Sequence, residues 1–302
     1  MTPVAPRPLV VPFTKMSGAG NDFIVLDDRF LRFSEAELAA LARRYCPRRT
    51  GVGADGVLAL REPDAEGAHF RMRYLNADGS AATMCGNGAR CLARFARLAG
   101  IAGTPHPDGA ATLVFDTDGG RYAADVPADP HADVRLHVPS PRGFSEVRLA
   151  DGEPTFAIWT GTEHAVRFVE GVGSLDLDRL GAPIRSDAAF APTGANANFA
   201  EVLEAGGDGP ARVRARTFEK GVEAETLACG TGALAVALAA RLSGRVQTDR
   251  VEVEMPGGTL RVGFVLPDGA TTAEAVRDLT LEGPVEVIFQ GTLEVYPADL
   301  FP

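Results

Sequence analysis

Cysteine, lysine, histidine and tryptophan are all scarce in this chain. Its 302 residues hold four cysteines, five histidines, one tryptophan and only two lysines. Cys46, Cys85, Cys91 and Cys229 form no C-x-x-C pair and are too few for a disulfide scaffold in a chain this long, so their roles are packing or chemistry. His69, His106, His131, His137 and His164 share no metal-ligand spacing, and no metal is expected. Lys15 and Lys220 lie in no evident phosphate-binding context, which disfavours a Schiff-base pyridoxal phosphate enzyme. Walker, H-E-x-x-H and G-x-S-x-G sequences are missing, and Gly18-Ala-Gly-Asn-Asp-Phe23 breaks a dinucleotide fingerprint at its last glycine. No apolar stretch nears the roughly 18–20 residues that span a bilayer. The longest, Gly232 to Ala240, stops at Arg241. The proline-rich start (Pro3, Pro6, Pro8, Pro12) lacks the apolar core of a signal peptide, and the chain reads as cytoplasmic. With a formal net charge of −10 and no block of like charge, neither nucleic acid nor membrane is an expected partner.

What the chain does have is a repeat. Cys85-Gly-Asn-Gly-Ala-Arg-Cys-Leu-Ala-Arg-Phe-Ala-Arg-Leu-Ala-Gly100 is echoed by Cys229-Gly-Thr-Gly-Ala-Leu-Ala-Val-Ala-Leu-Ala-Ala-Arg-Leu-Ser-Gly244, identical at nine of sixteen positions. The copies are half a chain apart, which suggests two homologous domains. Each copy reads as a buried helix closed by a glycine stop at Gly100 or Gly244. A strand-like alternation precedes each: Phe70, Met72 and Tyr74 in the first half, Val213, Ala215 and Thr217 in the second. Further strands are expected over 23–26, 57–60, 112–115, 135–138, 166–169, 251–255, 260–266 and 285–289. The expected fold class is α+β, with two pseudo-twofold domains, each a mainly antiparallel sheet wrapped around a central helix. Residues 1–128 would form the first and 129–287 the second, with 288–302 returning to the first and a Pro-rich, polar boundary near 127–133.

A cysteine at a helix start meets outward-pointing backbone N–H groups and the positive end of the helix dipole, which can bring a thiol pKa from about 8.5 to roughly 3.5–7.5. The glycines that follow let a carboxylate approach the same amides. Two such starts, one per domain, would place two thiols on opposite sides of one ligand. That arrangement suits inversion of a stereocentre: one thiolate removes a proton from a carbon beside a carboxylate, and the other thiol protonates the opposite face. A lone cysteine beside Gly and Ala is more commonly a small core residue, and Cys46 and Cys91 are read that way. Duplication in matching contexts sets Cys85 and Cys229 apart.

Lys15-Met-Ser-Gly-Ala-Gly-Asn-Asp-Phe23, Arg49-Thr-Gly-Val-Gly-Ala-Asp-Gly56, Asn76-Ala-Asp-Gly-Ser80, Cys85-Gly-Asn-Gly-Ala-Arg90 and Glu225-Thr-Leu-Ala-Cys-Gly-Thr-Gly232 together resemble the diaminopimelate epimerase family, in order and over nearly the whole chain. The resemblance implies two similar domains, no cofactor or metal, and interconversion of LL- and meso-diaminopimelate in bacterial lysine synthesis. It implies an acid/base pair at Cys85 and Cys229, with Gly86, Asn87, Gly230 and Thr231 presenting backbone amides to the reacting carboxylate. Asn21, Asn76, Asn196, Glu219 and Lys220 fall at substrate-binding positions, and His164 and Glu219 at positions that tune the thiols. A homodimer is the implied assembly and a small molecule the implied partner.

The chain departs from the family pattern at three binding positions. Lys220 stands where Arg is common, replacing a bidentate fork with a point charge. Thr162 takes the place of another binding Asn, and Gly56 that of a Gln found in some members. The loop at Val222-Glu-Ala-Glu225 is also one residue longer than expected. Two alternatives stay open on the residues alone: a related cofactor-independent racemase for another amino acid, such as proline, and a non-catalytic amino-acid-binding or thiol redox-sensor protein.

Overall fold

The computed structural model describes residues 7–300, so the chain ends, including Pro3 and Pro6, lie outside the described residues. The chain divides at 134/135 and 284/285 into a unit formed by the two end segments and a unit formed by residues 135–284. The first contains β1 (Leu9–Gly18), β2 (Asn21–Asp27), α1 (Asp28–Leu31), α2 (Glu35–Tyr45), β3 (Gly56–Arg61), β4 (Phe70–Asn76), β5 (Ala81–Ala82), α3 (Gly86–Leu98), β6 (Thr104–Pro105), β7 (Ala111–Thr117) and β8 (Gly120–Val126). After β9 (Val134–His137), the second contains β10 (Arg142–Arg148), β11 (Pro154–Trp159), β12 (Glu163–Phe168), α4 (Leu177–Arg185), β13 (Asn196–Glu204), β14 (Ala211–Glu219), β15 (Ala224–Thr226), α5 (Gly230–Leu242), β16 (Arg250–Met255), β17 (Gly258–Val265) and β18 (Arg277–Gly283). The chain then rejoins the first unit as β19 (Glu286–Val295) and α6 (Pro297–Leu300).

The division lies a few residues from the 128/129 and 287/288 positions read from sequence. Arg94 on α3 donates to Pro127 O at 2.6 Å and to Ala132 O at 3.0 Å, which ties the loop after β8 to the first unit. At the other junction, β19 pairs with β1 from Glu286 onward, with one register shift between Met16 and Lys15.

In the first unit the sheet runs β19, β1, β2, β3, β4, β7, β8, with β2–β3 and β4–β7 parallel and the other neighbours antiparallel. In the second it runs β10, β11, β12, β13, β14, β16, β17, β18, with β12–β13 and β14–β16 parallel. Each unit is therefore a mixed, mostly antiparallel sheet of one topology. Each sheet packs on its own helix: α3 meets β1, β2, β3, β4 and β8, and α5 meets β11, β12, β13, β14, β16 and β17. The duplication reaches the register. Phe23 pairs with Gly56 and Gly56 with Asn76 in the first unit; His164 pairs with Asn196, and Asn198 with Thr217, in the second. These pairings equate Phe23 with His164, Leu58 with Asn198, Tyr74 with Thr217 and Asn76 with Glu219.

The strands follow the period-2 rule where one face is covered, as in β7, where Ala111, Leu113, Phe115 and Thr117 are buried and the residues between are not. Helix α5 needs no polar face over these two turns, because every residue from Gly232 to Ala240 is buried. Burying Leu234, Val236 and Leu238 contributes about 1.5–3 kcal/mol each. Both helices end as their glycines predict. Gly100 and Gly244 take the left-handed conformation, at φ +88° and +75°. Ile101 N–H then donates to Ala96 O and Arg245 N–H to Ala240 O, satisfying carbonyls that the helix leaves over.

Candidate active site

The sequence-predicted residues gather at one end of each sheet. In the first unit Asn21 opens β2, Asn76 closes β4, and Cys85 caps α3 just before Gly86 and Asn87. In the second His164 lies at the start of β12, Asn196 opens β13, Glu219 closes β14 with Lys220 after it, and Cys229 caps α5 before Gly230 and Thr231. Parallel pairing of the β2–β3 and β12–β13 starts, and the antiparallel return of β4 and β14, brings these ends together.

The two cysteines make the same local structure. Cys85 is extended (φ −141°, ψ 120°) and Cys229 likewise (φ −117°, ψ 107°), and each thiol sulfur sits over its helix start. Gly88 N–H donates to Cys85 Sγ at 3.4 Å and Gly232 N–H to Cys229 Sγ at 3.4 Å. A sulfur in the N-cap position accepts where a Ser or Asp oxygen usually does, so negative charge there is met by backbone dipoles. The first-turn amides of Gly86, Asn87, Gly230 and Thr231 point out of the same helix ends. By contrast, Cys46 and Cys91 are buried, and burial pushes both thiols up to about 12.

What surrounds each thiol differs. Cys85 donates to Asn21 Oδ1 at 3.5 Å. Asn21 is itself held by Asp55, whose Oδ2 accepts from Asn21 Nδ2 at 2.6 Å. Asp55 and Asp22 belong to a network with Arg48 and Lys15: Arg48 reaches Asp22 at 2.9 Å and Asp55 at 2.7 Å, and Lys15 reaches Asp22 at 2.7 Å and Gly53 O. Burial alone would raise the Asp22 carboxyl, but the hydrogen bonds and charges of Arg48 and Lys15 outweigh it and hold the group at about 2. Asn76 bonds within its own turn, donating from Nδ2 to Ser80 Oγ at 3.0 Å. The Asn87 side chain is buried and accepts from Arg90 Nη2 at 2.9 Å. Arg90 is fully buried and also reaches Gly86 O at 3.4 Å.

Around Cys229 the neighbours are Thr231, whose Oγ1 is 3.5 Å from the sulfur, and a buried set behind the helix start. Thr160 Oγ1 donates to Thr231 O at 2.8 Å, fixing the first turn of α5 to the end of β11. Glu219 Oε2 accepts from Thr226 Oγ1 at 2.8 Å, across the β14–β15 pair. Asn196 Oδ1 accepts from Lys220 N–H at 2.8 Å. His164 is fully buried, and burial, with the Lys220 charge, pushes its ring down to about 3, so it is neutral at neutral pH. Two of the three departures, at Lys220 and Thr162, converge: Lys220 Nζ lies 3.1 Å from Glu163 Oε2, and Thr162 Oγ1 donates to the same oxygen at 3.2 Å. Burial raises the Glu163 carboxyl, but the hydrogen bond and charge of Lys220, a backbone hydrogen bond and the Thr162 hydroxyl together outweigh it, a net lowering.

Sequence reading missed the groups that hold these residues. Lys15, Asp22, Arg48 and Asp55 lie within or beside the quoted motifs, but the contacts that tie them into the site reach far along the chain, Lys15 to Gly53 across 38 residues and Asn21 to Asp55 across 34. Asn198 stands two residues after Asn196, in the same segment, and its hydrogen bonds to His164 and Thr217 emerge only from strand register. Among the described residues, no group of three or more His, Cys, Asp or Glu side chains is placed to hold a metal ion, and no helix is long and apolar enough to cross a membrane.

Comparison with known proteins bears on the family and the fold. The family described as diaminopimelate epimerase matches residues 13–139 and 156–274. The chain is 40% identical over 279 residues to the diaminopimelate epimerase of Chlorobaculum tepidum, covering 92% of this chain and 99% of that one. It is 38% identical over 292 residues to that of Xanthomonas euvesicatoria, covering 92% and 95%. Among solved structures, a phenazine biosynthesis protein of the PhzF family from Bacillus anthracis matches with a TM-score of 0.70 at 15% identity, covering 94% of this chain and 99% of that one. A hydroxyproline epimerase from Agrobacterium vitis matches with a TM-score of 0.66 at 16% identity, covering 98% and 95%. These two likenesses concern the fold; the sequence matches concern the family, and the chain belongs to the diaminopimelate epimerase family.

Proposed function

We propose that the protein is an isomerase that interconverts LL- and meso-diaminopimelate in lysine biosynthesis, with Cys85 and Cys229 as its proton-transfer pair. The observation that carries this reading is the repeated cysteine cap, the same thiol over the same helix start in both units of a chain from this family. Inversion needs a base on one face of the α-carbon and an acid on the other. Two thiols supply both: one, as thiolate, takes the α-proton, the other delivers its own, and the reverse reaction exchanges their roles. The proton count closes without a redox step, and we read the reaction as free of cofactor and metal.

As the proton leaves, negative charge grows on the substrate carboxylate, and first-turn amides of Gly86, Asn87, Gly230 and Thr231 would stabilise it there. Asn21, Asn76, Asn196, Glu219 and Lys220 would bind the rest of the substrate, and His164 and Glu219 would tune the thiols. Because His164 is neutral, its part is that of a hydrogen-bond group and not of a charge. Action in the cytoplasm, as a homodimer whose only other partner is its small-molecule substrate, completes the reading. The net charge of −10 is the observation that speaks against a nucleic acid.

A substrate panel tests the assignment. LL-diaminopimelate should be epimerised, and proline and 4-hydroxyproline left unchanged. Turnover of proline or hydroxyproline alone would replace this reading with that of another amino-acid racemase on the same fold.

A further inference from the structure

Four Lys, Arg, Asp or Glu side chains are buried among the described residues: Lys15, Asp28, Arg90 and Arg94. Lys15 and Asp28 have ion-pair partners, Asp22 and Arg61, each at 2.7 Å. Arg90 has no carboxylate partner among the described residues. Its guanidinium is fully buried, donates to Asn87 Oδ1 at 2.9 Å and to Gly86 O at 3.4 Å, both neutral acceptors, and leaves Nε without a partner. Arg94, one turn on, donates to the carbonyls of Pro127 and Ala132. In the repeat, the residues of α5 that match Arg90 and Arg94 are Leu234 and Leu238. The same two places therefore hold apolar side chains in the second unit and cations in the first.

Arg90 stands where a cation is least favoured. A buried charge without a carboxylate is costly, and a guanidinium cannot escape that cost by giving up its proton. The side chain also runs back to the first and second residues of α3, toward the positive end of the helix dipole. Negative charge at that same end offsets both penalties. Burial works against the Arg90 charge, and the groups that favour it are Cys91, Cys85 and, least, Asp133. Cys91 is pushed up to about 12 by burial and stays a thiol. Asp133 lies in partly exposed chain between β8 and β9. Cys85 remains. Its sulfur caps the same first turn, over Gly88 N–H, and it directly precedes Gly86, whose carbonyl Arg90 reaches. The basic side chains on the strands packed against α3 have carboxylates of their own: Lys15 has Asp22, Arg61 has Asp28, Arg71 and Arg73 have Asp118, and Arg121 has Asp116. Of the acidic ones, Asp27 pairs with Arg29, and Asp125 accepts from Thr112 Oγ1 at 2.7 Å.

We propose that Arg90 is a positioning residue for proton transfer, its buried guanidinium being the standing counter-charge that keeps Cys85 ionised as a base. This rests on the proposed role of Cys85 in proton transfer. The charge adds to what the helix dipole gives both cysteines, and it acts from inside the first unit without being exposed. When Cys85 takes up a proton, Arg90 loses its counter-ion, which favours release of that proton and return of the thiolate.

The test reads the ionisation of Cys85 through the pH dependence of its alkylation by iodoacetamide, located by peptide mass spectrometry, in the full-length protein without substrate. A Cys229→Ala background leaves one accessible thiol, because Cys46 and Cys91 are buried. Arg90→Leu, which installs the residue found at the matching place in α5, should move the midpoint of the profile up by about one unit or more, an about tenfold smaller thiolate fraction below both midpoints. Arg90→Lys keeps the charge and should stay closer to the unaltered protein than to Arg90→Leu. A role in packing alone would not move the midpoint. Should Arg90→Leu fail to fold, Arg90→Gln, polar and uncharged, takes its place. Urea unfolding of Arg90→Leu, Cys85→Ala and the double variant gives a second reading: the two positions should be coupled above the midpoint and uncoupled below it, where Cys85 is a neutral thiol. A midpoint unmoved in Arg90→Leu overturns the proposal, as does one moved equally by Arg90→Lys, or a coupling that is the same on both sides of the midpoint. Alkylation needs no diaminopimelate, so a protein that fails to epimerise it would still show whether Arg90 sets the charge of Cys85, and the two readings fail separately.

Discussion

Asp55 accepts a 2.6 Å hydrogen bond from the amide of Asn21, and this turns the Asn21 carbonyl oxygen toward the Cys85 thiol, 3.5 Å away. A carboxylate can only accept from an amide, so Asp55 decides which end of Asn21 the sulfur meets. Asp55→Asn keeps the shape and loses that decision. We expect kcat/KM to fall about tenfold, the low end for a hydrogen bond to a charged group, with the fold stability nearly unchanged. Unaltered kinetics would remove Asn21 from the machinery around Cys85.

Lys220 and Thr162 meet on one oxygen of Glu163, so these two departures from the family pattern act as a set. With Lys220 as the point charge for the far carboxylate of the substrate, Lys220→Met should raise KM at least about tenfold and change kcat less, whereas Lys220→Arg should keep activity. Steady-state kinetics on the two variants separate the effects. A Lys220→Met protein with an ordinary KM would place the far carboxylate elsewhere.

The glycines three residues after each cysteine are equivalent in sequence and unequal in surroundings. Gly88→Ala meets the movable end of Leu58 at 3.1 Å, and the helix propensity gained, about 1 kcal/mol, offsets the crowding. Gly232→Ala meets Asn198 Oδ1 at 2.6 Å inside a fixed hydrogen-bond set and should cost about 1–3 kcal/mol. Urea unfolding of both variants checks this; equal losses would contradict the asymmetry.

Acid should weaken the fold through His164. The folded ring titrates near 3 against an ordinary 6.5, so between those values the unfolded chain binds a proton that the folded one does not. Stability is therefore full above pH 6.5 and falls as the pH drops toward 3, with a slope approaching 1.4 kcal/mol per unit. Asp22, ordinarily at 3.8 and held at about 2, adds a loss of the same sign lower down. Replacing His164 by Phe, the residue at the matching position of the first unit, should flatten the upper part of the slope in urea titrations across this range. An unchanged slope would show that the ring is not what titrates.

The helix starts were legible in the sequence because a cap is a local device: the cysteine, the glycines and the closing Gly100 or Gly244 are all within one helix length. Helix α2 had such a signal too, Ser34 followed three residues later by Glu37, and in the structure each caps the other. β1 was obscured by Pro12, which is tolerated because β1 pairs with β2 only from Thr14 onward, leaving the proline with one strand neighbour. The buried polar set of the second unit was not legible. His164, Asn198 and Thr217 meet through a parallel and an antiparallel register, and nothing in the spacing of three such residues indicates that they share a face. The same holds for Asp55 and Asn21, brought together by the β2–β3 crossover.

The central claim is inversion by proton exchange at a pair of thiols, and the most direct measurement is incubation of the reduced protein with LL-diaminopimelate in deuterium oxide, with no added cofactor. The account predicts meso product carrying deuterium at the inverted carbon, lost in Cys85→Ala and in Cys229→Ala. Meso product formed without deuterium, or at full rate in either cysteine variant, would contradict it.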